Sequence, residues 1–342
     1  MKLLVTKIVK ETEHAVTIFF KNNSFLKRIN YKPGQFITLK IPINGRIENR
    51  VYSFSSSPLI EKELKITVKR VNGGLVSNYL NDTLKIGDSI DVEKPAGNFF
   101  IIPDKNARNQ YVLFAGGSGI TPIYSILKSV LSKELHSNVL LVYANKDIKD
   151  IIFFEELNVF KEQYSNRLKI EYILNENTNT DFYSGFLNEV MLENILRKNK
   201  LTFSNYKYMV CGPVGYMDVV VEILKNKKIQ NNQIKLERFN NPEVKLYSNG
   251  VASTVTIIYN NETHKISVPN NKTILQQVIY ENIELPYSCR SGACSTCKAS
   301  CISGEVSMIE GHFLEDKEVD SGKILTCVSY PKSEEVVIEI LS

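Results

Sequence analysis

Four cysteines set the chemistry of this 342-residue chain. Cys289, Cys294 and Cys297 follow a C-x4-C-x2-C spacing, and Cys327 comes after 29 intervening residues. That is the spacing at which four thiolates hold a 2Fe-2S cluster. Ser291, Gly292, Ala293 and Ser295 are small, so backbone N–H groups can approach the sulfurs of a negatively charged cluster and help set its potential. Structural zinc is the competing reading, but it favours paired C-x2-C knuckles, and only Cys294 and Cys297 have that spacing. Disulfides fit less well, because the chain lacks secretory features and Cys289, Cys294, Cys297 and Cys301 crowd together. Cys301 has no place in the four-ligand pattern and reads as a buried or partly buried free thiol. A 2Fe-2S cluster passes one electron at a time, so the rest of the chain must provide a source for electrons.

The cysteine run, with Ile324-Leu325-Thr326-Cys327, resembles the ferredoxin domain of plant-type 2Fe-2S proteins over residues 253–342. That resemblance implies an α+β β-grasp fold. Strand patterns at Thr254–Tyr259, Lys265–Val268 and Glu335–Ile340, and a helical pattern over Ile274–Asn282, agree with it.

Residues 1–104 read as a β-barrel. Alternating runs at Ala15–Phe20, Gln35–Leu39 and Leu64–Lys69 are separated by Gly, Pro and Asn turns. Arg50, Tyr52 and Ser53 offer a cation, an aromatic ring and a hydroxyl at alternate or adjacent strand positions. Gly74-Leu75-Val76-Ser77 follows. Together these resemble the R-x-Y-S and G-x-x-S motifs of the ferredoxin–NADP reductase superfamily, in which an antiparallel barrel holds FAD. By that resemblance Arg50 binds the FAD pyrophosphate, Tyr52 stacks on the isoalloxazine and Ser53 hydrogen-bonds near its reactive nitrogen. Gly74 and Ser77 approach the phosphates, with Ser77 opening a helix whose N-terminus favours anions.

Residues 105–239 alternate strand and helix, which predicts a parallel α/β sheet. The strands are expected at Tyr111–Ala115, Asn138–Ala144, Leu168–Leu174 and Tyr206–Cys211, and the helices at 123–134, Ile152–Gln163 and Leu187–Leu196. The turn Gly116-Gly117-Ser118-Gly119-Ile120-Thr121-Pro122 lets backbone amides approach phosphate but departs from G-x-G-x-x-G. It resembles the G-G-x-G-x-T-P loop of the same superfamily, and Cys211-Gly212-Pro213 resembles the cysteine region that lies by the nicotinamide. The resemblance further implies that Thr121 contacts the nucleotide and that Glu237 and Phe239 lie near the flavin. Ser53, Cys211 and Glu237 are then the residues closest to the chemistry. Lys146 follows the second strand of this segment and favours the phosphate of NADPH over NADH, while the adjacent Asp147 pulls the other way. Residues 240–252 read as a linker.

The net charge of +5 is unevenly divided: residues 253–342 hold 7 Lys/Arg against 12 Asp/Glu, and residues 1–252 hold 35 against 25. An acidic ferredoxin portion on a basic body suits electrostatic docking as well as plain solvation. The lysines are scattered, which argues against nucleic acid, and no stretch is long and apolar enough for a membrane span. A cytoplasmic protein is expected. His14, His136, His264 and His312 share no metal-binding spacing. As a whole the chain resembles the fused reductase components of bacterial oxygenases, and among them the phenylacetyl-CoA epoxidase type most. The resemblance implies that NAD(P)H reduces FAD, FAD reduces the cluster, and the cluster serves an oxygenase component. A reductase of a separate ferredoxin or cytochrome, or a redox-sensing binding protein, are the alternatives.

Overall fold

The computed structural model describes residues 1–22, 29–175, 181–204, 206–239, 251–309, 312 and 314–340. It divides into two compact units, Met1–Glu237 and Arg238–Ser342. Most of the expected linker, residues 240–250, lies outside the described residues.

The first unit opens with six antiparallel strands: β1 (Lys2–Thr12), β2 (Ala15–Asn22), β3 (Phe36–Ile43), β4 (Arg46–Ser53), β5 (Leu64–Lys69) and β6 (Ser89–Val92). They lie in the order β4-β3-β6-β1-β2-β5. A bridge from Phe54, just past β4, to Ile66 of β5 joins the two edges and closes the barrel. Inward residues such as Ile18, Ile37, Leu39, Phe54 and Ile66 are fully buried, each contributing about 1.5–3 kcal/mol. Helix α1 (Leu75–Asp82) follows β5 and is N-capped by Gly74. The sequence pattern puts Ser77 at the start of this helix, but Ser77 sits in its first turn. The chain turns earlier because Gly73 adopts φ +68° and the Gly74 N–H donates to Val71 O at 2.9 Å.

The same unit continues as an all-parallel sheet flanked by helices. Its elements are β7 (Gln110–Gly116), α2 (Ile120–Lys133), β8 (Asn138–Asn145), α3 (Phe154–Gln163), β9 (Leu168–Leu174), β10 (Tyr183–Ser184), α4 (Glu189–Lys198), β11 (Lys207–Cys211), α5 (Val214–Asn226) and β12 (Ile234–Glu237). The order β10-β9-β8-β7-β11-β12 reverses direction at β7. Two helices begin later than the pattern suggests: Phe153 takes φ +62° before α3, and Asn188 caps α4 by accepting the Met191 N–H at 2.9 Å.

Helix α2 is buried on nearly every side. Ile120, Ile123, Leu127, Val130 and Leu131 recur at helical spacing and form an apolar stripe. On another face, Ser125, Lys128 and Ser129 meet barrel residues through hydrogen bonds and an ion pair.

The second unit is a mixed five-stranded sheet in the order β14-β13-β19-β15-β17. Its elements are β13 (Ser253–Tyr259), β14 (Glu262–Val268), α6 (Ile274–Tyr280), β15 (Lys298–Ser303), β16 (Val306–Met308), α7 (Asp316–Asp320), β17 (Lys323–Leu325), β18 (Ser329–Pro331) and β19 (Glu335–Ile340). First and last strands, β13 and β19, pair in parallel, and α6 packs its apolar residues into the same core, as a β-grasp requires. A Thr273/Gln276 capping box starts α6. Helix α6 stops short of the expected Asn282, which takes φ +58°. Among the described residues no helix is long and apolar enough to cross a membrane.

Candidate functional site

Strand β4 carries the first constellation. Arg50 and Tyr52, two apart, share one strand face, and Ser53 points the other way. Tyr52 packs against the barrel core; burial pushes its phenol up, with the Arg50 charge opposing, so it stays a neutral ring. Arg50 uses Nη1 for Glu48 at 3.2 Å and for Asn49 O at 2.8 Å, which leaves Nε and Nη2 for a phosphate. Ser53 is buried, yet among the described residues its hydroxyl has no partner. An orphaned hydroxyl of this kind costs about 1–3 kcal/mol, and a flat ring with hydrogen-bonding edge atoms beside it relieves that cost. The residues present therefore fit FAD. The Ser77 hydroxyl is engaged locally, accepting the Val71 N–H at 3.1 Å and donating to Gly74 O at 3.3 Å. It holds the turn, and the first N–H groups of α1 are the donors that face outward.

The second constellation lies at the C-terminal ends of β7, β11 and β12, where Ala115, Cys211 and Glu237 are level in register. It is also where the strand order reverses, the place at which open parallel sheets bind ligands. Here the glycines are explained by each other. A Cβ on Gly119 would strike the Cys211 carbonyl and stand 2.7 Å from Gly212 N; one on Gly116 would lie 2.7 Å from Pro213 Cδ; one on Gly212 would lie 3.0 Å from Gly116 N. The two motifs are thus packed backbone to backbone. Gly117 takes φ +50°, and its carbonyl accepts the Tyr143 hydroxyl at 3.1 Å. Thr121 is buried with its hydroxyl donated to Ser118 O at 3.0 Å, so it shapes the loop directly. Burial, reinforced by the Glu237 charge, pushes the Cys211 thiol well up, which makes it a neutral spacer rather than a nucleophile. Lys146 is exposed past the end of β8. Asp147 accepts the Lys149 N–H at 3.3 Å to cap a short turn. Phe239 lies past the division between the units.

Sequence reasoning missed Lys69 at the end of β5. Its ammonium lies 3.8 Å from where a Cβ on Gly117 would stand, which brings a barrel cation to the mouth of the glycine loop. A lysine ending a strand carries no signal of its own; only the fold brings the two together.

The third constellation is the cysteine loop of the second unit. Cys289, Cys294, Cys297 and Cys327 are all buried, and the Cys289 and Cys294 sulfurs are 3.2 Å apart. The N–H groups of Ser291 and Ala293 donate to Cys289 Sγ at 3.4 and 3.2 Å, a hairpin made by positive φ at Arg290 and Gly292. Hydrogen bonds from Cys294 and then Cys327 hold the Cys289 thiol down, Cys327 does the same for Cys297, and the donors Cys294 and Cys327 are pushed up in turn. Among the described residues no three His, Cys, Asp or Glu side chains converge as a single ion would need. A 2Fe-2S core spreads four thiolates over two irons, and four buried cysteines linked through their sulfurs, two of them held down toward the thiolate, fit it. Cys301, half-buried, donates weakly to backbone carbonyls of Ser303 and Gly304 and stands apart.

Family models follow these three constellations: an oxidoreductase FAD-binding domain over residues 2–101, an oxidoreductase NAD-binding domain over 113–222 and a 2Fe-2S iron-sulfur cluster binding domain over 257–332. The ferredoxin reductase component of 3-ketosteroid-9-alpha-monooxygenase from Rhodococcus rhodochrous is 33% identical, the match covering 98% of this chain and 96% of that protein. One of the subunits of 1,2-phenylacetyl-CoA epoxidase from Escherichia coli K12 is 31% identical, with 98% and 96% covered. The chain belongs to the flavin and 2Fe-2S oxygenase reductases of the ferredoxin–NADP reductase superfamily. Phthalate dioxygenase reductase, a solved structure, matches this reductase with a TM-score of 0.66 at 25% identity, covering 99% of this chain and 98% of the other. The reductase is an NAD(P)H-dependent oxidoreductase with FAD and a 2Fe-2S cluster as its electron carriers.

Proposed function

We propose that the reductase draws electrons from NADPH and delivers them, through its ferredoxin portion, to an iron or diiron oxygenase component. When bound, FAD accepts a hydride and releases its electrons singly to the cluster. In this reading Arg50 and the turn at Gly74 and Ser77 take the FAD phosphates, Tyr52 stacks on the ring and Ser53 bonds its edge. Gly116, Gly117, Gly119 and Thr121 shape the loop that takes the nucleotide phosphates, with Cys211, Gly212 and Pro213 forming the floor beneath the nicotinamide. Glu237 sets the polarity behind Cys211, and Phe239 belongs on the flavin side. Cys289, Cys294, Cys297 and Cys327 ligate the cluster.

The observation that carries the acceptor is end-to-end likeness to reductases whose names place them with oxygenases. The two identities differ too little to prefer the phenylacetyl-CoA epoxidase type over the ketosteroid type. For the donor, Lys146 is exposed past the end of β8 and offers a cation to a 2′-phosphate, while one oxygen of the neighbouring Asp147 carboxylate caps the turn that follows. The test is twofold. kcat/KM with an artificial acceptor should be higher for NADPH than for NADH, and a preference for NADH would reverse the reading of Lys146. Turnover of an oxygenase from the source cell should slow with added salt, which screens charges beyond about 10 Å at 0.1 M, while flavin reduction does not. Electron delivery only to a separate ferredoxin or cytochrome would replace the oxygenase reading.

A further inference from the structure

The stretch Ser55–Glu61 leaves β4 immediately after Arg50, Tyr52 and Ser53, and it runs against α2, the helix that leaves the glycine loop. The contact is polar and buried. The Ser125 hydroxyl donates to Ser56 O at 2.6 Å, Ser129 Oγ is 2.7 Å from Ser57 Oγ, and Ser129 donates to Ser125 O at 2.7 Å. Lys128, 5% exposed along its side chain, pairs with Glu61. Glu61 also accepts Lys65 Nζ at 2.6 Å and the Ser57 N–H at 2.6 Å. Tyr124 lies beneath the Lys128 ammonium, 4.2 Å to the ring centroid. On the barrel side Ser56 Oγ meets the Tyr31 hydroxyl at 2.6 Å, and Tyr31 stacks on Phe54 at 4.0 Å, next to Ser53.

A buried ion pair is weak evidence for stability, because desolvation offsets most of its attraction, but it fixes geometry where one partner alone would be an uncompensated charge. The helical rise of about 1.5 Å per residue puts Ser125 one turn, roughly 6 Å, from Thr121. Ser56 is three residues from Ser53, within about 11 Å of chain. Both ends of the network therefore lie close to one substrate-holding element each.

We propose that Glu61 and Lys128, with Ser57 and Ser129, are positioning residues for hydride transfer: they weld the flavin-bearing strand to the nucleotide-loop helix and set the gap between flavin and nicotinamide. They touch neither group. The inference rests on the placement of FAD by β4 and of the nucleotide by the loop at 116–119. Because a displacement of about 1 Å in reacting geometry can cost 10²-fold in rate, a loosened weld shows in the transfer step more than in binding.

The experiment compares wild type, Glu61→Gln, Lys128→Met, the neutral double variant Glu61→Gln/Lys128→Met and the milder Ser129→Ala, each with FAD and cluster loaded. Readouts are FAD content, nucleotide dissociation constant, long-wavelength charge-transfer absorbance between nicotinamide and flavin, and the anaerobic flavin-reduction rate with its deuterium isotope effect. Expected are full FAD content, dissociation constants within about threefold of wild type, a diminished charge-transfer band and reduction slowed about 10- to 100-fold. The double variant should regain thermal stability over the single ones without regaining the band or the rate. If single variants do not fold, Ser129→Ala decides, with a weaker band and a several-fold slower rate expected. Variants that lose thermal stability alone, with band, rate and isotope effect unchanged, would show a merely structural role and overturn the proposal. Failure of wild type to be reduced by either nucleotide would count against the functional reading instead.

Discussion

Replacing Gly119 by Ala tests why the glycine loop is glycine. Its backbone is in the ordinary helical region, φ −60°, so any L-residue is allowed conformationally, and the obstacle is purely steric. The new methyl would collide with the Cys211 carbonyl and stand 2.7 Å from Gly212 N, where ordinary contact begins near 3.4 Å. The nearest atom, the Cys211 carbonyl oxygen, sets the displacement: the loop and the Cys211–Pro213 turn must separate by about 1 Å, and both sides are backbone with no flexible side chain to yield. Overpacking of this kind costs about 1–3 kcal/mol. The displaced elements are the two that meet at the nucleotide, so kcat/KM for NAD(P)H should fall about 10- to 100-fold, while FAD content stays at wild-type level because the barrel is untouched. Anaerobic stopped-flow bleaching of the flavin reads the rate, and thermal unfolding reads the cost. Gly215→Ala is the control: a Cβ there meets nothing within 4 Å, and in the first turn of α5 alanine should be neutral or stabilise by up to about 1 kcal/mol. Wild-type reduction kinetics in Gly119→Ala would refute the packing argument.

Ser53→Ala removes a buried hydroxyl that has no partner among the described residues; the FAD-free protein should unfold at the same temperature or higher, and flavin reduction should slow about tenfold, the effect of one hydrogen bond near 1.4 kcal/mol. Cys294→Ser should abolish the cluster while leaving flavin reduction by NAD(P)H intact, since the sites lie in separate compact units; Cys301→Ser should leave the iron content unchanged, as iron analysis will show. Burial pushes the Glu61 carboxyl up, but the Lys128 charge and hydrogen bonds from Lys128, Lys65 and the Ser57 N–H bring it below its ordinary value of 4.5. The unfolded chain therefore takes up this proton first. The stabilisation from Glu61 is fully present above about 4.5 and lost as pH falls through the lower folded value. Urea midpoints against pH should show a shallower acid limb in Glu61→Gln than in wild type; parallel limbs would contradict the assignment.

The cysteines can be read from spacing because a covalent ligand set fixes separations that chance rarely produces. Barrel and sheet strands can be read from period-two and continuous apolar runs, since each inward side chain must be buried wherever the strand ends up. The helix near Ser77 starts two residues earlier than its pattern indicates because turn chemistry at Gly73 and Gly74 outweighs the side-chain pattern. Gly116, Gly119 and Gly212 can be found as motif positions, but their reason cannot: they make room for each other across two crossovers nearly a hundred residues apart, a contact visible only in three dimensions. Ser125, Lys128 and Ser129 are the sharpest case. At helical spacing they look like a solvated face, and they are buried because the barrel supplies the partners. Lys69 reads as the exposed end of a strand for the same reason.

Electron flow within one chain, from a nicotinamide nucleotide through a flavin to the cluster held by Cys289, Cys294, Cys297 and Cys327, is decided by anaerobic addition of NADPH followed by freeze-quench electron paramagnetic resonance. The prediction is flavin bleaching followed by the signal of a reduced 2Fe-2S cluster in wild type, with bleaching alone in Cys294→Ser. A cluster signal that never appears although the flavin bleaches and iron is present, or one that survives in Cys294→Ser, would contradict it.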